Sequence, residues 1–199
     1  MTTEIAVRTD EPEPSGTGLT NAKLAMWAFL ASECLLFGAF ISTFLLYRRR
    51  SEGLTPRDVY NIPFTSATSF ILLMSSLTMV LALAAIQRGD HRRLRVWLIA
   101  TCLFGLTFVA GQVFEFTEFY REGLKLSTNL FGSSFFVLTG IHGAHVTVGI
   151  IWLLSLWGLS SQGRLTKLDS EKVEIAGLYW HFVDVVWIVI FTVVYLIPQ

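Results

Sequence analysis

Four stretches of this sequence set ionisable side chains among apolar neighbours, where they could act on protons or metals. Glu33 lies in Ala31-Ser32-Glu33-Cys34-Leu35-Leu36-Phe37. Gln112, Glu115 and Glu118 share one stretch, His142 and His145 a second, and His181 and Asp184 a third. Glu115/Glu118, His142/His145 and His181/Asp184 are each spaced i,i+3, so each pair shares one helix face, and Gln112 extends the glutamate stripe. Three chemistries fit such residues. An H-x-x-H pair with a carboxylate can ligate zinc, iron or manganese. Buried carboxyl and imidazole groups can relay protons. The same groups can also lock helices together by interhelical hydrogen bonds. The last two are compatible. No GxSxG, Walker loop or CxxCH occurs, and no pattern announces a haem or copper site, so no residue is assigned a catalytic or metal-binding role.

The elements that carry these residues follow from composition. Of 199 residues, 53% are hydrophobic and only 15% charged, with a mean hydropathy of +0.57. A soluble domain carries about 25% charged residues, so a water-soluble enzyme is excluded. Formal net charge is zero, so nothing points to nucleic acid. A spanning helix needs about 20 mostly apolar residues. Five stretches qualify: Ala22 to Tyr47, Thr65 to Gln87, Leu94 to Tyr120, Leu130 to Leu159 and Ile175 to Ile197. The expected fold is an all-α membrane protein, a bundle of five transmembrane helices joined by short loops, with no internal repeat. Residues 1–21 form a flexible polar cytoplasmic tail and residues 22–199 the transmembrane domain. The tail lacks the basic start and early apolar run of a secretory signal, so the first span is expected to be retained.

Positive charge sets the orientation. One side holds Arg8, Lys23, Arg88, Arg92, Arg93, Arg95, Arg164, Lys167 and Lys172; the other holds Arg48, Arg49, Arg50, Arg57, Arg121 and Lys125. Nine against six places the N-terminus in the cytoplasm and the C-terminus outside.

Depth sorts the polar residues into two expected groups. At a rise of about 1.5 Å per residue, Glu33 falls near the membrane midplane and could join His145, His181 and Asp184. Glu115 and Gln112, with His142, would form a second group nearer the outside. Trp97, Trp152, Trp157 and Trp180 lie near the ends of the spans and read as an interfacial belt. Gly140 and Ala144, with Gly143, read as a smooth patch for close helix approach. Cys34 and Cys102 read as small packing residues.

These motifs resemble those of subunit III of the haem–copper oxidases, the cytochrome c oxidase family. Leu178-Tyr179-Trp180-His181-Phe182-Val183-Asp184-Val185-Val186-Trp187 is similar to the family's C-terminal helix, and the run Phe131 to Val146 to its penultimate helix. Ser32-Glu33 with Leu36-Phe37 matches the helix of the buried glutamate; Gln112, Glu115 and Glu118 match the acidic helix. The resemblance covers about Lys23 to Leu196 and aligns with the last five helices of a seven-helix long form. It implies a bacterial plasma-membrane subunit without a redox centre, packed against subunit I in a complex with subunit II and further subunits. Haem and copper would belong to the partner subunits, and phospholipid would bind in a cleft. The implied role is to stabilise subunit I and support proton uptake while the complex reduces oxygen to water and pumps protons. A longer partner, such as an extended subunit I, is expected to supply the two absent helices. The loop Lys125 to Asn129 lacks the acidic residue often seen there in the family. Glutamate rather than aspartate at Glu33 favours cytochrome c as electron donor. A quinol oxidase subunit III or a nitric oxide reductase accessory protein is the alternative, and a small ion transporter is the reading outside the family.

Overall fold

The computed structural model describes residues 18–48, 62–123 and 130–197, without the side chain of Arg48. The expected flexible tail up to residue 17, the arginine run at Arg49 and Arg50, and the loop Lys125 to Asn129 lie outside the described residues. Among those described the structure is all helical. The helices are α1 (Asn21–Arg48), α2 (Ile62–Gln87), α3 (His91–Arg121), α4 (Leu130–Ser161) and α5 (Ser170–Phe191), and all five are long and apolar enough to cross a membrane. At about 1.5 Å per residue, the 31 and 32 residues of α3 and α4 exceed a hydrocarbon core of about 30 Å, so both tilt or project beyond it.

Turn chemistry explains the boundaries. α2 ends in a Schellman turn: Asp90 N–H donates to Ala85 O and Gly89 N–H to Ile86 O, both at 2.9 Å. That turn needs a left-handed residue, and Gly89 supplies it at φ 76°. Asp90 then caps α3, its Oδ1 accepting the Arg93 N–H at 3.0 Å. α2 and α3 thereby become a tight antiparallel hairpin, and their mutual packing is the most extensive in the molecule. The fifth helix starts at Ser170, earlier than the apolar pattern beginning at Ile175 suggests. Thr166 and Asp169 hold the preceding turn Lys167–Asp169, and Glu171 suits the positive end of the helix, so the charged residues extend it rather than end it. At its far end, a π-turn over Thr192–Leu196 brings both Val194 and Tyr195 inward.

α5 is the hub of the bundle. It packs on α1, α2 and α4, while α3 is reached through α2 and α4. α1 touches α4 and α5 but packs little on α2 or α3, and it leaves Leu35 77% exposed.

Trp180 occupies the centre of this arrangement, with 1% of its surface exposed. It corrects the interfacial expectation for that residue: with α5 starting at Ser170, Trp180 sits mid-helix. Its indole N–H donates to Ser75 Oγ on α2 at 2.9 Å. Its ring lies over Gly105 of α3 and Gly149 of α4, where an added Cβ would meet ring carbons at 2.7 and 2.8 Å. Close packing thus rests on these two, and on Gly111 of α3, where an added Cβ would meet the Thr68 methyl of α2 at 2.8 Å. Gly140 has open space around its Cα and Ala144 is exposed, so that pair does not admit a neighbouring helix within this chain. Gly143 is small for another reason: the Gln112 side chain lies across it, 2.6 Å from where a Cβ would be.

Gly149→Ala should lower the thermal stability of the detergent-solubilised protein, at a cost of about 1–3 kcal/mol for overpacking against a buried ring. Gly140→Ala should leave it unchanged, and equal effects at the two positions would contradict the packing described.

Candidate functional site

The intramembrane polar residues form a ladder of pairwise ties along α5, rather than the two clusters that depth alone suggests. At the N-terminal end of α5, Glu174 pairs with Lys23 of α1 at 2.8 Å, and Glu171 accepts a hydrogen bond from Thr20. One step further, Tyr179 Oη donates to the backbone carbonyl of His145 on α4 at 3.0 Å. Trp180 ties to Ser75, and Trp187 donates to Ser69 Oγ at 2.8 Å. At the C-terminal end, Glu115 of α3 accepts hydrogen bonds from Thr65 of α2 and Tyr195.

Glu33 and His145 connect α1 to α4. Glu33 Oε2 lies 3.1 Å from His145 Nε2, and the two side chains are 13% and 20% exposed. The other imidazole nitrogen, Nδ1, lies 2.8 Å from the carbonyl of Ile141. A carbonyl can only accept, so Nδ1 carries a proton. The Nε2···Oε2 contact then holds one further proton, on either the imidazole or the carboxyl group. In both arrangements the pair is electrically neutral overall, which suits its depth. Phe37 covers it, with its ring centroid 5.0 Å from that of His145.

His181 and Asp184 do not join Glu33. Both bind Ser76 of α2: its Oγ donates to Asp184 Oδ2 and lies 3.0 Å from His181 Nδ1. One hydroxyl proton serves two neighbours, so the order of the chain is fixed from either end. With Ser76 donating to Asp184, His181 Nδ1 donates to Ser76. With a proton on Asp184 Oδ2, the serine turns and donates to Nδ1. Carboxyl, hydroxyl and imidazole thus form a short unit able to hold its protons in two orders.

His142 is fully buried in an aromatic box, with Trp187 at 4.9 Å and Phe108 at 5.7 Å between ring centroids. Its Nε2 lies 3.2 Å from the carbonyl of Val183 and therefore carries the proton in the neutral ring. Gln112 crosses from α3 to α4, its Nε2 donating to Thr139 O at 2.5 Å. Glu118 stands outside these ties. Its side chain is 44% exposed and pairs with Arg121 at 3.4 Å in the last turn of α3. Four buried side-chain atoms have no partner among the described residues: Gln112 Oε1, His142 Nδ1, Ser160 Oγ and Asp184 Oδ1.

The three histidines within the spans, His142, His145 and His181, have separate partners on different neighbours. Among the described residues, no three His, Cys, Asp or Glu side chains are grouped as a metal site. The arrangement is suited to joining helices and to short-range proton transfer. Sequence reasoning passed over the polar face of α2. Thr65, Ser69, Ser75 and Ser76 follow a helical stripe and supply the partners of Glu115, Trp187, Trp180, His181 and Asp184. That stripe was the available signal.

A double-mutant cycle on Glu33→Ala and His145→Ala should return a coupling of about 0.6–1.7 kcal/mol, the range for interhelical polar contacts in membranes. Glu33→Gln should retain most of the stability, because the amide can still hydrogen-bond the ring. Additive single effects in the cycle would show that the pair is not coupled.

Comparison with known proteins identifies the setting of these ties. Residues 15–198 match the family model described as cytochrome c oxidase subunit III. The quinol oxidase subunit 3 of Bacillus subtilis strain 168 is 41% identical over 183 residues, covering 92% of this chain and 89% of that protein. The cytochrome c oxidase subunit 3 of Bacillus sp. strain PS3 is 37% identical over 177 residues, covering 88% and 86%. That of Alkalihalophilus pseudofirmus is 38% identical over 189 residues, covering 93% and 91%. With its five spans, its polar ladder along α5 and this match over nearly its whole length, the chain belongs to the cytochrome c oxidase subunit III family.

Proposed function

We propose that this chain is the accessory, redox-inactive subunit III of a respiratory haem–copper terminal oxidase in a bacterial plasma membrane. Its main contact would be subunit I, which with its partners would carry haem and copper, reduce oxygen to water and pump protons. One observation carries this reading: the ionisable side chains within the membrane tie the helices to one another, and their histidines diverge. A chain built this way supplies a stable surface and short proton-holding units rather than an electron-transfer centre. The open face of α1, with Leu35 and Leu46 exposed, suits partner helices that complete the longer bundle. Part of one acyl chain of a bound phospholipid has room in an apolar groove of about 220 Å³ between α1 and α4, lined by Phe40, Thr43, Leu130 and Val137.

Cytochrome c is the proposed donor, on the strength of glutamate at position 33. A quinol donor is the second reading, favoured by relatives such as the Bacillus subtilis protein named quinol oxidase subunit 3. The N-terminus is assigned to the cytoplasm from the distribution of Lys and Arg.

A tag on this chain should recover a haem-bearing complex from the membrane. Oxygen uptake by that complex should be faster with reduced cytochrome c than with menaquinol; the reverse ratio would establish the quinol reading. The isolated, folded chain should show no haem absorbance, and stoichiometric iron or copper in it would overturn the accessory role. In intact cells, an impermeant maleimide should label Glu122→Cys and spare Gln162→Cys, and the opposite pattern would invert the orientation.

A further inference from the structure

The turn between α2 and α3 carries four arginines and one acid over eight residues: Arg88, Asp90, Arg92, Arg93 and Arg95. Asp90 is fully engaged. Its Oδ1 caps α3 at the Arg93 N–H, 3.0 Å away, and its Oδ2 pairs with Arg93 Nε at 3.2 Å. Arg95 turns back to the carbonyl of His91 at 3.3 Å. Arg88 and Arg92 have no acidic partner among the described residues. Both line an open pocket of about 540 Å³ together with Asp90 and Arg93.

The rest of that pocket is not polar. Leu81, Val96 and Trp97 form its wall. At about 1.5 Å per residue, Leu81 lies about 10 Å below Arg88 along α2, and Trp97 about 9 Å below the start of α3. Cations at the membrane surface above an apolar wall, with an indole at their junction, match an amphiphile with an anionic head. A free anion would need the cations but not the wall. A hydrocarbon chain would need the wall but not the cations.

The Schellman turn at Gly89 and the Asp90 cap hold this geometry in place. The backbone that carries the two arginines is therefore fixed before any ligand arrives, and binding has only their side chains left to order. A guanidinium is suited to phosphate because its planar fork can donate two parallel hydrogen bonds.

We propose that the α2–α3 turn is a binding site for one anionic phospholipid. Its phosphate is held by Arg88 and Arg92, and its acyl chains run along Leu81, Val96 and Trp97. The site is separate from the apolar groove between α1 and α4, and it stands whichever donor the oxidase takes.

The test titrates the purified complex containing this chain with phosphatidylglycerol, phosphatidylethanolamine and inorganic phosphate, and follows bound lipid by native mass spectrometry. Phosphatidylglycerol should bind, and the Arg88→Gln/Arg92→Gln double variant should weaken it at least about tenfold, the scale for two cations at a membrane surface. Arg164→Gln/Lys167→Gln, in the other turn on the same side, should change nothing. Phosphatidylethanolamine should bind weakly and without regard to the variants, and millimolar phosphate should not displace phosphatidylglycerol. Unchanged phosphatidylglycerol binding in the Arg88/Arg92 variant would overturn the proposal, as would displacement by phosphate or equal binding of phosphatidylethanolamine. If that variant does not assemble, the wild-type complex decides. Photoactivatable phosphatidylglycerol should label the peptides carrying Leu81 or Val96 and Trp97, and labelling confined to other regions would refute the site.

Discussion

The bundle depends on one large side chain seated where four helices meet. Trp180 projects from α5, is hydrogen-bonded by α2, and is received by glycines on α3 and α4. In lipid, apolar surface gains little by leaving the solvent, so helix association rests on close packing and on polar ties. A buried indole provides both: a broad face for dispersion contacts and one N–H that must find an acceptor. Ser75 is that acceptor, and the two glycines let the backbones approach the ring.

The remaining ties follow the same economy. Several of the polar groups within the spans are matched to a neighbour on another helix: Trp187 to Ser69, Asp184 to Ser76, Glu115 to Thr65 and Tyr195, and Glu33 to His145. Because a single such contact contributes only about 0.6 kcal/mol on average in membrane proteins, their value lies in number and in register. Serine and threonine recur as partners because a short hydroxyl can donate and accept while letting helices come close. The same chemistry that secures register also leaves small proton-holding units, such as Asp184–Ser76–His181, inside the membrane.

Much of this was legible in the sequence. Run lengths of apolar residues located all five spans, because a bilayer imposes a length that soluble proteins do not. The i,i+3 spacing identified the residues with intramembrane chemistry. It did not reveal their partners. Spacing fixes which residues share a face but not how that face is rotated toward its neighbours, so Glu33, His145, His181 and Asp184 were expected together, whereas Ser76 holds the last two. Hydroxyl residues were overlooked on α2 because they cost little to bury and do not interrupt an apolar run. Trp180 was misplaced because the apolar pattern of α5 begins later than the helix does: Glu171 and Glu174 belong to its first turns and reach α1.

The isolation of α1 from α2 and α3 has a consequence for how the chain is made. α1 leaves the ribosome before the other four helices, yet the imidazole that pairs with Glu33 lies 112 residues further along. At synthesis rates of about 5–20 residues per second, roughly 6–20 seconds separate the two. The α2–α3 hairpin, closed by its own short turn, can assemble as soon as it is complete. α1 cannot: its docking surfaces are the last two helices. Of the five helices described, α1 is therefore made before the others and fastened after them.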